Sequence, residues 1–114
     1  MKRGEIWTVA GGPDYGGKPR PVALLQDDRF EDLMSVTFCP FTTNPTPAPL
    51  FRLAVKASDG NGLKEGSSLM VDKITTVART KVGTCIGRLD DEDIVRLNRA
   101  IVVFLGLGGG GPET

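Results

Sequence analysis

The sequence predicts a mainly β domain with some α structure: a small, strongly curved antiparallel β-barrel with one C-terminal helix packed on it. Three observations lead there. Short runs rich in Val, Ile, Thr and aromatic residues recur at turn-punctuated intervals from Gly4 to Gly87. After Asp90 the apolar residues change to helical spacing. Finally, 114 residues with 39% apolar and 25% charged side chains suffice for one core and are too few for two. The domain is expected to span residues 1–107, followed by a flexible Gly-rich tail, 108–114.

Gly4-Glu5-Ile6-Trp7-Thr8-Val9 alternates apolar and polar residues, as a half-buried strand does. The segment from Gly11 to Pro19 is rich in Gly and Pro, has no period, and reads as a long mobile connection carrying Asp14, Tyr15 and Lys18. Pro21 can open a strand because no ladder donor is needed there, and Val22-Ala23-Leu24-Leu25 is apolar on both faces, like a central strand. Met34 to Cys39 alternates again and is expected to close at Pro40 or shortly beyond. Three prolines and three threonines from Thr42 to Pro49 make a loop. Phe51, Leu53 and Val55 then point one way and Arg52 and Lys56 the other, giving a strand with one wet face. Residues 58–62 are a turn cluster, Ser67 to Val77 reads as one extended region, and Thr84 to Gly87 as a short last strand. From Asp90, Ile94, Leu97, Ile101 and Phe104 or Leu105 form a helical stripe. Asp90 and Asp91 can cap that helix, and Gly106 and Gly108 end it.

Composition excludes much chemistry. With no histidine, neither a Ser-His-Asp triad nor an HExxH zinc helix can form, so catalysis must use carboxylates, Lys, Arg, Tyr or hydroxyls. Two separated cysteines, Cys39 and Cys85, leave a zinc shell incomplete and read as reduced packing groups. No metal or other cofactor is expected. Fourteen basic and fourteen acidic residues cancel, so a polyanion site must be a local basic patch. No apolar stretch is long enough for a bilayer, and no apolar signal segment follows Met1, which gives a cytoplasmic protein as the default.

Several residues stand apart from a generic barrel, each with two readings. Arg20 lies where the Gly-rich loop meets a buried strand, which suits a bidentate phosphate contact or, alternatively, a surface pair with a local Asp. The hydroxyls of Thr42 and Thr43, next to Asn44, either satisfy the turn backbone or bind a phosphate oxygen. Asp72 interrupts a run that favours strand; it is a functional carboxylate or a residue at a bulge or strand end. Lys73 beside it reads as a solvated charge. Tyr15, with no core to fill, can stack on a base or simply be exposed. Trp7 and Phe38 read as core residues, and the terminal Gly run lacks the Lys and helix of a phosphate-binding loop.

Taken in order, Lys2-Arg3-Gly4-Glu5-Ile6-Trp7, Gly17-Lys18-Pro19-Arg20-Pro21-Val22-Ala23-Leu24-Leu25-Gln26-Asp27-Asp28, Cys39-Pro40-Phe41-Thr42-Thr43-Asn44, Val71-Asp72-Lys73-Ile74-Thr75-Thr76-Val77 and Ile86-Gly87-Arg88-Leu89 resemble the MazF/PemK family of toxin endoribonucleases, over Lys2 to Leu107. The resemblance implies an SH3-like barrel of the CcdB/PemK type that forms a homodimer. It also implies cleavage of single-stranded messenger RNA at short motifs without a metal, and neutralisation by a cognate antitoxin whose acidic, disordered tail fills the RNA groove. The family's cleavage residues map onto Arg20 and Thr42, and its acidic position onto Asp72. The Arg that some members carry two residues ahead of that carboxylate is Met70 here, so the leaving-group acid is unassigned.

Metal-free scission needs the ribose 2′-OH to attack phosphorus, a base for its proton and a cation for the phosphorane charge. On this expectation Arg20 stabilises the phosphorane, Thr42 orients a phosphate oxygen and Asp72 is the candidate base. Tyr15, Lys18, Thr43, Asn44, Lys73 and Arg79 supply RNA contacts. The products would be a 2′,3′-cyclic phosphate and a 5′-OH, with DNA uncut. Two rivals keep the same barrel: a non-catalytic CcdB-like toxin that binds DNA gyrase, and an SH3-like binding module without turnover.

Overall fold

Seven antiparallel strands and one helix emerge from these patterns in the computed structural model, which describes residues 1–11 and 17–108. The strands are β1 (Glu5–Val9), β2 (Arg20–Leu24), β3 (Ser35–Thr42), β4 (Arg52–Val55), β5 (Ser67–Met70), β6 (Thr75–Ala78) and β7 (Val82–Arg88), and the helix is α1 (Asp91–Leu105). They are hydrogen-bonded in the order β4-β5-β3-β2-β1-β7, with β6 also on β3. The ladder does not close between β4 and β7, so the expected barrel is a curved, barrel-like sheet with two ends. A turn spans there instead. The Arg88 N–H donates to the Gly60 carbonyl at 3.0 Å, and a Cβ on Gly62 (φ +70°) would lie 2.0 Å from the Ile86 carbonyl oxygen. Asn61 is buried beneath this turn. Its Oδ1 accepts from the Ser58 and Leu63 N–H groups, each at 3.0 Å, and its Nδ2 donates to the Lys56 carbonyl at 2.8 Å.

Strand β3 runs past the expected stop, through Pro40 to Thr42. Its outer edge is shared: β6 pairs with Ser35 to Phe38 and β5 with Phe41 and Thr42. Pro40 sits level with the gap between those two ladders, where an imino acid is tolerated. The expected single extended region from Ser67 to Val77 is therefore two strands, separated by a 3-10 turn, Val71–Lys73. Strand β7 is also longer than expected. Cys85 on it is exposed and so does not pack, whereas Cys39 is fully buried; both are free thiols.

The alternation in β1, β2 and β3 separates two apolar layers on opposite faces. Ile6, Ala23, Cys39 and Phe41 join Leu53, Val55, Leu69, Val71, Leu89 and the helix residues Leu97 and Ala100. Val9, Val22, Leu24, Val36 and Phe38 form the other layer, with Trp7 and Val77 at its margin. Helix α1 starts where expected, with Asp90 Oδ1 accepting from the Asp93 N–H at 2.8 Å, and ends at Gly106 with φ +72°. It packs on β4 and the 3-10 turn, pinned by Arg96 Nη1, which donates to the Ala54 carbonyl at 2.9 Å. Ile94, Leu97 and Ile101 face the core, but Phe104 and Leu105 remain exposed; the Phe104 ring lies tilted against Phe51, centroid to centroid 6.1 Å. Among the described residues, no helix is long and apolar enough to cross a membrane.

Candidate active site

Register decides what meets on the second face. Val22 pairs with Pro40, so continuing that antiparallel register by two residues brings Arg20 level with Thr42. Val9 pairs with Arg20, Thr42 with Ser68, and Ser68 with Ala54. Because side chains alternate, these residues share a face with Met70 and its β4 partner Arg52. A cavity of about 690 Å³ opens there, lined by Arg20, Thr42, Thr43, Asn44, Arg52 and Lys73 over an apolar floor that includes Val22 and Phe38. Among the described residues none of the lining side chains is acidic.

All the sequence-predicted residues but Tyr15 fall within the described structure. Arg20 opens β2 at the cavity mouth, exposed, and is engaged in an interaction of its own. Thr42 ends β3, and its Oγ1 accepts from the Asn44 N–H at 3.1 Å. That is the turn-satisfying role of a threonine at a strand end, and it leaves the hydroxyl proton available to donate. Thr43, Asn44 and Lys73 line the same space, with Lys73 exposed at its edge. Lys18 is exposed and outside the lining, and Tyr15 lies outside the described residues. Arg79 is elsewhere. Its Nη1 donates to the carbonyls of Glu31 and Leu33, which ties down the loop between β2 and β3, so it contributes nothing to this cavity.

Asp72 differs most from expectation. It stands in the 3-10 turn behind the cavity wall, and both its oxygens are taken by Arg52: Nε to Oδ1 at 2.8 Å and Nη2 to Oδ2 at 3.0 Å. The two side chains are only 12% and 21% exposed. These bonds hold the Asp72 carboxyl below its ordinary value, against the opposing effect of desolvation, and Asp72 raises the Arg52 guanidinium in return. A carboxylate clamped in this way is anionic at neutral pH but a poor proton acceptor, which counts against its expected role as the base. Behind the pair lies Cys39, whose thiol burial and the Asp72 charge push up to about 12. Arg52 is the functional-looking residue that sequence reasoning assigned only to a wet face. The available signal was a pair of opposite charges, Arg52 and Asp72, each breaking an apolar run, but twenty residues of separation hide their contact. Among the described residues no three His, Cys, Asp or Glu side chains gather as metal ligands.

Comparison with known proteins places the chain in a family. Residues 2–105 match the family model described as PemK-like, MazF-like toxin of type II toxin-antitoxin system. The chain is 50% identical over 109 residues to a protein named probable endoribonuclease MazF from Mycolicibacterium smegmatis, covering 96% of this chain and all of that one. It is 26% identical to endoribonuclease MazF9 of Mycobacterium tuberculosis, over 94% of this chain and 98% of the relative. In structure it is similar to the Mycobacterium tuberculosis toxin MazF-mt6, with a TM-score of 0.76, 27% identity, and 90% and 96% of the two chains covered. A mycobacterial endoribonuclease solved with its cognate antitoxin shares the fold at TM-score 0.75 and 21% identity, covering 94% and 96%. The chain thus belongs to the PemK-like, MazF-like toxin family of type II toxin-antitoxin systems.

Proposed function

We propose that this chain is a sequence-selective endoribonuclease toxin that cuts single-stranded messenger RNA without a metal, through attack of the ribose 2′-OH on the adjacent phosphorus and loss of the 5′ oxygen. The observation that carries this reading is the cationic, hydroxyl-lined cavity, with Arg20 and Thr42 brought level by the β2–β3 register. A guanidinium placed at a phosphate stabilises the charge of the phosphorane, and a threonine hydroxyl donating to a non-bridging oxygen orients it. Asp72 serves the site through the guanidinium it holds. Lys73, Thr43 and Asn44 line the path of the strand, with Lys18 and Tyr15 from the preceding loop as further contacts.

Two protein partners belong to this reading. A cognate antitoxin with an acidic segment neutralises the toxin by occupying the cationic cavity, since carboxylates and phosphates compete for the same donors. A second copy of the chain forms a homodimer through apolar surface that the isolated fold leaves bare.

Incubating the protein with a defined single-stranded RNA in the presence of a chelator tests the activity. The expected fragments carry 2′,3′-cyclic phosphate and 5′-OH ends, and the matching DNA stays intact. Arg20→Ala should cut at least about a hundredfold more slowly while unfolding at an unchanged temperature. Equal cutting of RNA by that variant, or equal cutting of DNA by the unaltered protein, defeats the mechanism. Toxicity that survives Arg20→Ala would favour a gyrase-type poison instead.

A further inference from the structure

Arg52 is placed as a working residue. It occupies the cavity face of β4, directly across from Met70 on β5, and forms part of the wall that also carries Arg20 and Lys73. Its Nε and one Nη2 hydrogen are spent on Asp72, and its ring neighbour is Phe51, 5.9 Å from the guanidinium carbon. A side-on pair of this kind fixes the plane of the guanidinium while leaving Nη1, which makes no hydrogen bond among the described residues. The geometry is expensive if it serves packing alone. A largely buried ion pair rarely improves on apolar side chains of the same volume, and here the sheet breaks its ladder with the Val71–Lys73 turn at the place where Asp72 meets Arg52. What the arrangement provides is a cation of fixed orientation at a cavity that already offers a second guanidinium, a lysine and several hydroxyls.

We infer that Arg52 is a second phosphate-binding residue of the cavity, taking the phosphodiester adjacent to the one held by Arg20, and that Asp72 is the positioning residue that aims it. The inference rests on the ribonuclease reading above for its ligand, a single-stranded RNA backbone. Two guanidiniums fixed on different strands contact successive phosphates of one strand and so set its direction through the cavity. Asp72 touches no substrate; its contribution is the orientation of Arg52.

The salt dependence of binding separates this role from a structural one. The probe is a short, fully 2′-O-methylated oligoribonucleotide of mixed sequence, which cannot be cut, titrated by fluorescence anisotropy across a range of potassium chloride. Each lost phosphate contact lowers the slope of log affinity against log salt by about 0.7 for a single strand. Arg52→Gln should show that decrease and bind roughly tenfold more weakly at low salt, while Arg52→Lys keeps the slope. Because Arg52→Gln leaves Asp72 unpaired, the double variant Arg52→Gln/Asp72→Asn, checked for folding by its unfolding transition, must show the same loss. Asp72→Asn alone should retain the slope and the affinity for the probe but cut RNA more slowly, roughly tenfold, with kcat rather than KM affected. A folded double variant with the unaltered slope and affinity overturns the inference. If the unaltered protein leaves RNA whole while the slope still falls in both Arg52→Gln variants, Arg52 keeps its role and the ribonuclease reading fails; cutting by the unaltered protein with no change of slope in either variant has the opposite meaning.

Discussion

At the scale of residues, the cavity wall owes its charge state to three neighbours: Cys39, Arg52 and Asp72. Burial and the Asp72 carboxylate push the Cys39 thiol up to about 12, so at neutral pH it is a protonated packing group. Cys85 is free on the exposed side of β7. A thiolate-directed aromatic disulfide should therefore react with one thiol in the folded protein and two after unfolding, and Cys85→Ser should abolish the native reaction. Rapid native labelling of Cys39 would mean the wall opens readily. Asp72 gives a pH dependence of definite sign. Its carboxyl is lowered in the folded state chiefly by the Arg52 hydrogen bonds, so its stabilisation is complete above its ordinary value of 3.8 and disappears as pH falls through the lower folded value. Urea unfolding should show Asp72→Asn costing on the order of 2 kcal/mol at pH 7 and progressively less as pH falls below the ordinary value of 3.8. A cost independent of pH would assign the loss to shape rather than charge.

The elements show what the sequence makes legible and what it hides. Strands β1 and β4 follow from alternation, β2 from an apolar run opened by Pro21, and α1 from its period, its Asp90 cap and Gly106, because each signal is local. The 3-10 turn at Val71–Lys73 was visible only as an acid in a strand-like run, since its cause is a partner on another strand. Pro40 looked like a stop because ladder gaps are created by neighbouring strands. The site divides in the same way: Arg20 and Thr42 stood out as residues at strand ends, whereas Arg52 required the β4–β5 register. The turn that bridges the open ends of the sheet rests on close backbone approaches to β7, the tightest of them at Gly62. Gly62 combines φ +70° with an Ile86 carbonyl oxygen that would lie 2.0 Å from any Cβ, so Gly62→Ala faces both conformational strain and a clash with main chain. It should lower the stability by at least about 2 kcal/mol in urea unfolding. Gly17→Ala, with φ +76° but nothing within 4 Å, meets strain without the clash and should cost clearly less. Equal costs would show that the approach to β7 is not what holds the turn.

For the whole molecule, zero formal charge conceals an uneven surface: among the described residues three cations and no acidic side chain line the cavity, and apolar side chains stand at the end of α1. Six consecutive apolar residues, Ala100 to Leu105, end that helix with no basic residue in the last turn. A helix apolar on every side needs cover on every side, and the sheet covers only one: Val103 is 61% exposed, Leu105 54% and Leu107 70%. Such a contiguous patch on a 12.2 kDa chain has the character of a subunit interface, and closed twofold symmetry is the commonest way to cover one. Sedimentation equilibrium should therefore return twice the chain mass, and Val103→Asp with Leu105→Asp should return the chain mass alone. Both side chains already face solvent within one subunit, so the variant should keep the β-sheet spectrum of the unaltered protein. Cleavage then reports on how the two surfaces relate. If one subunit's cavity holds the RNA by itself, the monomeric variant keeps the activity of Arg20 and Thr42; if the strand crosses both subunits, rate and affinity fall together although the cavity residues are untouched. A variant that remains dimeric with two aspartates at these positions would place the interface on another face of the sheet.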